Sequence, residues 1–387
     1  MHDNCYKWEN ITMEVSNVNT HPRSSNVELL RIFCMYFIIM HHCIIHGGGY
    51  AMENCANKFI GMLVLPAGKV GFDCFVAISA FFLVDSKFKT TRAIRIWTEV
   101  LFYNITFVGM TALLGSGYAD PITWRTWFGA FFPIIGNSHG YVASYIVFYL
   151  LTPFLAVVKS KLTKRDTIYL LGILFLIQVF SSILGTVDYY TQPISSEVQL
   201  FVLFYFIAFY IKKWEPSFSK SKLLLGGTLL FGYGLTAIGW IGQAFFPEYS
   251  RIFNFIIGNT GNESSLNNIL AGWALFLLAQ KWKVPINLWI NKLASFTLGI
   301  LLIHDSNFFR PVVWHRFVKA EQWYYVSSGM FVWLLITYSA AVFLAGAAID
   351  YVRQETVEKY FIHSKLYEVI CCKLEKFIQI KNMCTKE

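Results

Sequence analysis

The chain has 387 residues, of which 56% are hydrophobic, 18% aromatic and only 14% charged, with a mean hydropathy of +0.48. This excludes an ordinary soluble domain, which needs more charge on its surface. The formal net charge of +9 comes without a nucleic-acid motif, and the basic residues gather between apolar runs, as membrane topology and anionic headgroups require.

Residues 1–25 are polar and read as a cytoplasmic N-terminal segment without a cleavable signal peptide. Apolar runs of roughly 17 to 22 residues follow, the length a helix needs to cross a hydrocarbon core of about 30 Å. They predict about ten spans, over 27–47, 67–85, 96–115, 141–158, 167–186, 198–211, 223–244, 266–280, 293–309 and 327–349. Residues 26–350 are thus expected to form an all-α, polytopic transmembrane helix bundle; barrel strands would alternate, and these runs do not. The sixth run is short, and the ninth carries His304 and Asp305 in its second half. Residues 351–387 read as a charged, amphipathic cytoplasmic tail lying on the inner membrane surface, with Val357, Phe361, Leu366, Val369, Ile370, Leu374 and Phe377 on its apolar side.

Lys and Arg concentrate in cytoplasmic loops, which orients the bundle. With the N-terminus inside, the internal loops hold Lys87, Lys89, Arg92, Arg95, Lys159, Lys161, Lys164, Arg165, Lys212, Lys213, Lys220, Lys222, Lys281, Lys283 and Lys292, fifteen in all. The external loops hold seven: Lys58, Lys69, Arg125, Arg251, Arg310, Arg316 and Lys319. Both termini are therefore expected in the cytoplasm. The eight cysteines lack metal-ligand spacing, and no metal is expected; Cys43 and Cys55 could meet on the outer side and pair.

Ionisable groups inside a span are costly, so they mark where chemistry is to be sought. The first span holds Glu28, Arg31, His41, His42 and His46. Eleven residues from Arg31 to His42 make three helical turns plus about 20°, and Glu28 lies one turn before Arg31, so Glu28, Arg31, His42 and His46 form one stripe. The stripe rises about 16 Å between Arg31 and His42, joining a cytoplasmic anion site to a base near mid-membrane. The competing reading makes Glu28 and Arg31 an interfacial ion pair and the histidines caps for polar neighbours. Arg92 and Arg95 lie one turn apart at the start of the third span, where two guanidinium groups could grip phosphate oxygens or simply supply positive-inside charge.

Together these segments resemble the acyltransferase-3 family of integral-membrane acyltransferases, in particular its bacterial members that O-acetylate surface polysaccharides. Arg31 and His42 match the family's Arg, ten residues, His signature. The run Gly71 to Leu83 resembles the second-span motif, with Asp73, Phe75, Ser79 and Leu83 in place and Ala80 where Gly is usual; Arg92 to Arg95 matches Arg-x-x-Arg. Tyr145 to Pro153 resembles the fourth-span segment, with Gly140 in place of the usual Trp and Tyr145 where other subfamilies carry Glu. Ser295 to Asp305, followed by Arg310, resembles the late segment ending in Ile-His. The resemblance covers about residues 24 to 350.

It implies that His42 is the base activating an acceptor hydroxyl, and that Arg31, Arg92 and Arg95 hold the phosphates of a cytoplasmic acyl-coenzyme A, most often acetyl-CoA. Glu28 would orient Arg31, while Asp73 and Ser79 would shape the cavity; for these three a packing role is an equal expectation. His41 points about 100° from His42 and is the weaker base. His304 either contacts the acceptor or satisfies a neighbouring helix. The expected acceptor is a carbohydrate or lipid-linked carbohydrate, and the expected location is a bacterial inner membrane. No nucleophile elbow, zinc-protease helix or phosphate-binding glycine loop is present. A transporter or flippase for a lipid-linked sugar, and a non-catalytic scaffold or sensor, are the competing functions.

Overall fold

The computed structural model describes residues 24–49, 51–114, 122–133, 140–187, 197–250, 252–253 and 265–377. Among them there is no strand, because the apolar runs are long and each closes its backbone hydrogen bonds within itself, as a hydrocarbon environment demands. The helices are α1 (Ser25–His46), α2 (Ala56–Leu83), α3 (Thr90–Leu114), α4 (Trp124–Phe131), α5 (Gly140–Lys161), α6 (Lys164–Val187), α7 (Glu197–Trp214) and α8 (Lys222–Phe245). They continue with α9 (Leu266–Ala279), α10 (Leu288–Ala294), α11 (Thr297–His304) and α12 (Ser328–Arg353).

Six of the described helices are long and apolar enough to cross a membrane: α1, α2, α3, α5, α8 and α12 with its continuation to Ile362. The runs predicted at 167–186 and 198–211 fall on α6 and α7; α7 has only 18 residues and carries Glu197, Lys212 and Lys213 at its ends. The run at 266–280 is the shorter helix α9, and that at 293–309 is broken into α10 and α11, which ends at His304. Outward faces stay apolar, with Leu230 and Phe231 on α8, Ile173 and Leu176 on α6, and Trp333 and Leu344 on α12 all exposed, as lipid-facing surfaces are.

Helices α1 and α2 form the central pair. Glycines let them approach: a Cβ at Gly68 would lie 2.2 Å from the Cβ of His41, and one at Gly71 would lie 3.1 Å from the Cys34 carbonyl oxygen. Helix α2 meets α7, α8 and α9 on its other sides, while α1 meets α10, α11 and α12. One apolar cluster gathers around Phe201, Phe204 and Phe148, and a second around Ile39, Trp314 and Phe331. The start of α1 is fastened where α9 ends and α10 begins: Asn26 donates to the Ala279 and Gln280 carbonyls at 3.1 and 3.3 Å, and Ser25 accepts from the Asn287 amide at 2.8 Å.

The segment after Tyr351, expected on a membrane surface, packs in part against the bundle over its described residues, which end at 377. Helix α13 (Lys365–Phe377) turns back onto the start of α3, where Tyr367 and Cys371 pack on Ile94. Burial raises the Tyr367 hydroxyl above its ordinary pKa, so the packed ring stays neutral. Cys43 and Cys55, considered as a pair from the sequence, are both free thiols, Cys43 buried in the second cluster and Cys55 capping α2 through its sulfur to the Lys58 amide.

Candidate active site

A cavity of about 360 Å³ opens between α1, α2, α3, α5 and α11. Arg31, His41, His42, Ser79, Arg92, Tyr145 and Asp305 all line it, together with the rings of Phe72, Phe75 and Tyr141. Of the stripe read from the 3.6-residue period, Arg31 and His42, three turns apart on α1, share the chamber. Glu28, His46, Asp73, Arg95 and His304 are not among its lining residues. Asp73 is fully buried against α9, where a Cβ on Gly272 would come within 2.5 Å of its own. Arg95 instead pairs through Nε with Glu358 Oε1 at 2.5 Å.

At one end of the chamber, Glu28 is buried and its Oε2 lies 3.7 Å from Arg31 Nη1. Arg92 is held by neutral partners. Its Nη2 donates to the Tyr145 hydroxyl at 3.1 Å, and its guanidinium lies 5.4 Å from the centroid of the Tyr149 ring. Tyr149 is itself fixed, accepting from the Lys89 amide at 2.9 Å and donating to the Lys89 carbonyl at 3.1 Å. A phenol at position 145 orients Arg92 without cancelling its charge, as a carboxylate there would. Arg92 therefore keeps its charge available to an anionic ligand, while Arg31 shares its own with Glu28.

Deeper along α1, His41 and His42 part company. His41 donates from Nδ1 to the Leu65 carbonyl at 2.8 Å and sits over Gly68, its ring 6.3 Å edge-on from Trp240. His42 turns to α11: its Nδ1 lies 3.0 Å from His304 Nε2 and 3.7 Å from Asp305 Oδ1. His46, one turn on, is also 3.7 Å from Asp305 Oδ1. The ligating atoms of His42, His46 and Asp305 lie within 4.8 Å of one another, close enough to gather around a cation. That carboxylate already carries one: Arg310 Nε approaches Asp305 Oδ1 at 3.2 Å.

Sequence reasoning passed over Asp305 and Arg310 as partners of this histidine group, and over a second charged cluster entirely. Arg353 at the end of α12 is 5% exposed and reaches three carboxylates: Asp350 at 2.7 Å, Glu358 at 2.7 Å and Glu99 on α3 at 3.1 Å. The Tyr103 hydroxyl donates to Asp350 at 2.8 Å. The available signal was Glu99 within one apolar run and Asp350 directly at the end of another.

A half-buried imidazole with two guanidinium groups around one chamber is a layout suited to group transfer from an anionic donor. The family model described as an acyltransferase domain matches residues 24–350. Comparison with curated proteins and with solved structures gives no match. Its apolar helices, its chamber and a match over most of its length place the chain in the acyltransferase-3 family, as a membrane acyltransferase.

Proposed function

We propose that the protein is an O-acyltransferase of a bacterial inner membrane, with about ten spans and both termini in the cytoplasm. It moves an acyl group, most simply acetyl, from cytoplasmic acyl-CoA to a hydroxyl of a surface polysaccharide or its lipid-linked precursor. The observation that carries this reading is the shared chamber, with Arg31 and Arg92 at one end and His42 three turns deeper. An acyl-CoA has its phosphates at one end of an extended arm and its thioester at the other, so a cationic site set apart from a base suits it.

In the reaction, His42 takes the proton of the acceptor hydroxyl as its oxygen attacks the thioester carbonyl carbon. The tetrahedral intermediate collapses, the carbon–sulfur bond breaks, and the proton passes from His42 to the departing sulfur. Arg31, oriented by Glu28, and Arg92, oriented by Tyr145, hold the donor phosphates. Phe72, Phe75 and Tyr141 give the chamber aromatic walls on which sugar rings can lie. The test is to supply membranes containing the protein with acetyl-CoA labelled in the acetyl group and with glycan acceptors. Label on the acceptor is expected; movement of a lipid-linked sugar without acylation would make the protein a transporter instead.

A further inference from the structure

The histidine pair His42 and His304 has a direction. Carbonyl oxygens only accept, so the 2.6 Å contact between His304 Nδ1 and the Ile300 carbonyl puts the His304 proton on Nδ1. A neutral His304 then has a bare Nε2, which can only accept from His42 Nδ1 at 3.0 Å. The proton of neutral His42 is thereby fixed on Nδ1, and Nε2, on the opposite edge of the ring, is the nitrogen left bare.

We propose that His304 is a positioning residue that sets the tautomer of His42, so that Nε2 is the atom that takes the substrate proton. The inference rests on the acyl-transfer reading above and names how that site is organised. The helix break supplies the geometry. Helix α11 ends at His304, whose ring is tied back by one helical turn to Ile300 and packs edge-on against Trp314 at 6.2 Å, leaving it one orientation. Asp305 completes the arrangement. When His42 gains a proton on Nε2, its Nδ1–H stays directed at His304 and the new charge lies beside the Asp305 carboxylate, 3.7 Å away. Arg310 holds that carboxylate's own segment in place, approaching Asp305 Oδ1 with Nε at 3.2 Å and donating from Nη2 to the Asn307 side-chain oxygen at 2.5 Å. This is the logic of a base oriented by a third group, assembled from two helices that meet only in the folded chain.

The full-length protein, reconstituted in lipid with ¹⁵N-labelled histidine, allows the tautomer to be read by NMR, with His42 assigned from the signals lost in His42→Asn. The expected result is His42 protonated at Nδ1 and bare at Nε2 in the wild type, with an Nε2–H population appearing in His304→Leu. In the same preparation, His304→Leu should lower kcat at least about tenfold with KM for acetyl-CoA unchanged, since base positioning acts on the chemical step. His304→Gln, whose carboxamide oxygen can accept from His42 Nδ1–H, should recover most of the loss. Should His304→Leu fold poorly, the wild-type spectrum and the His304→Gln rate still decide. A wild-type His42 carrying its proton on Nε2, or a His304→Leu enzyme with wild-type kcat, overturns the proposal. An absence of acyl transfer in the wild type would instead overturn the acyl-transfer reading, which the spectrum alone does not address.

Discussion

Arg92 and Arg95 stand one turn apart and look equivalent on a helix projection, yet they have different surroundings. Arg92 lines the chamber, bonded to the Tyr145 phenol and set beside the Tyr149 ring, whereas Arg95 is drawn to Glu358, a residue far along the chain. Charge-assisted hydrogen bonds are worth about 1.5 to 3 kcal/mol each. Arg92→Ala should therefore raise KM for acyl-CoA roughly ten- to a hundredfold, and Arg95→Ala much less, in steady-state kinetics on matched protein levels. Equal effects would mean that both reach the donor. The stripe on α1 was legible because position on a helix follows from spacing alone, so Arg31 and His42 could be placed on one face from an eleven-residue interval. What His42 touches was not legible. Its partner His304 sits 262 residues away in the chain, and only the fold brings the two rings together.

At the scale of elements, the α1–α2 contact is set by residues without side chains. Gly68 receives the body of His41, and the nearest atoms to an added methyl group would be the Cβ and ring of a histidine that is itself bonded to Leu65. These atoms have little freedom to move aside. Gly68→Ala should cost about 1 to 3 kcal/mol by overpacking, seen as a lower thermal midpoint in detergent. Arg353 is the equivalent fastening between α3, α12 and the segment beyond. Its removal would leave Glu99, Asp350 and Glu358 near one another, with Arg95 paired to Glu358. Breaking a buried pair by deleting one partner costs about 3 to 5 kcal/mol, so Arg353→Met should lower the midpoint more than Gly68→Ala does. An unchanged midpoint would show that these carboxylates are neutral or hydrated. Hydropathy located these helices but not their fastenings, because a glycine contact and a buried charge cluster depend on which helices are neighbours. The tail illustrates the point: its amphipathic pattern says that one face is covered, and the fold shows Ile94 of α3 doing part of the covering.

For the whole molecule, length and apolar character identified a membrane bundle, and the family match covers residues 24–350, the stretch over which the resemblance was read. The number of spans is harder to read, since α9 is short and the run at 293–309 breaks at the segment that carries His304. A broken helix looks like a poor span in a hydropathy profile, although the end of α11 sets Asp305 on the chamber wall and His304 against His42. If the excess of Lys and Arg on one side sets orientation, reporters fused to either terminus should be active only in their cytoplasmic form. A terminus reporting from the other side would require an odd number of spans. The central claim is that a phosphate-holding end and a proton-accepting end share one chamber, and a paired measurement tests it most directly: equilibrium binding of acetyl-CoA and single-turnover acyl transfer on the same membranes. His42→Ala should bind acetyl-CoA as the wild type does and lose transfer by about a hundredfold or more, whereas Arg31→Ala should lose binding. Wild-type transfer by His42→Ala, or wild-type binding by Arg31→Ala, would contradict it.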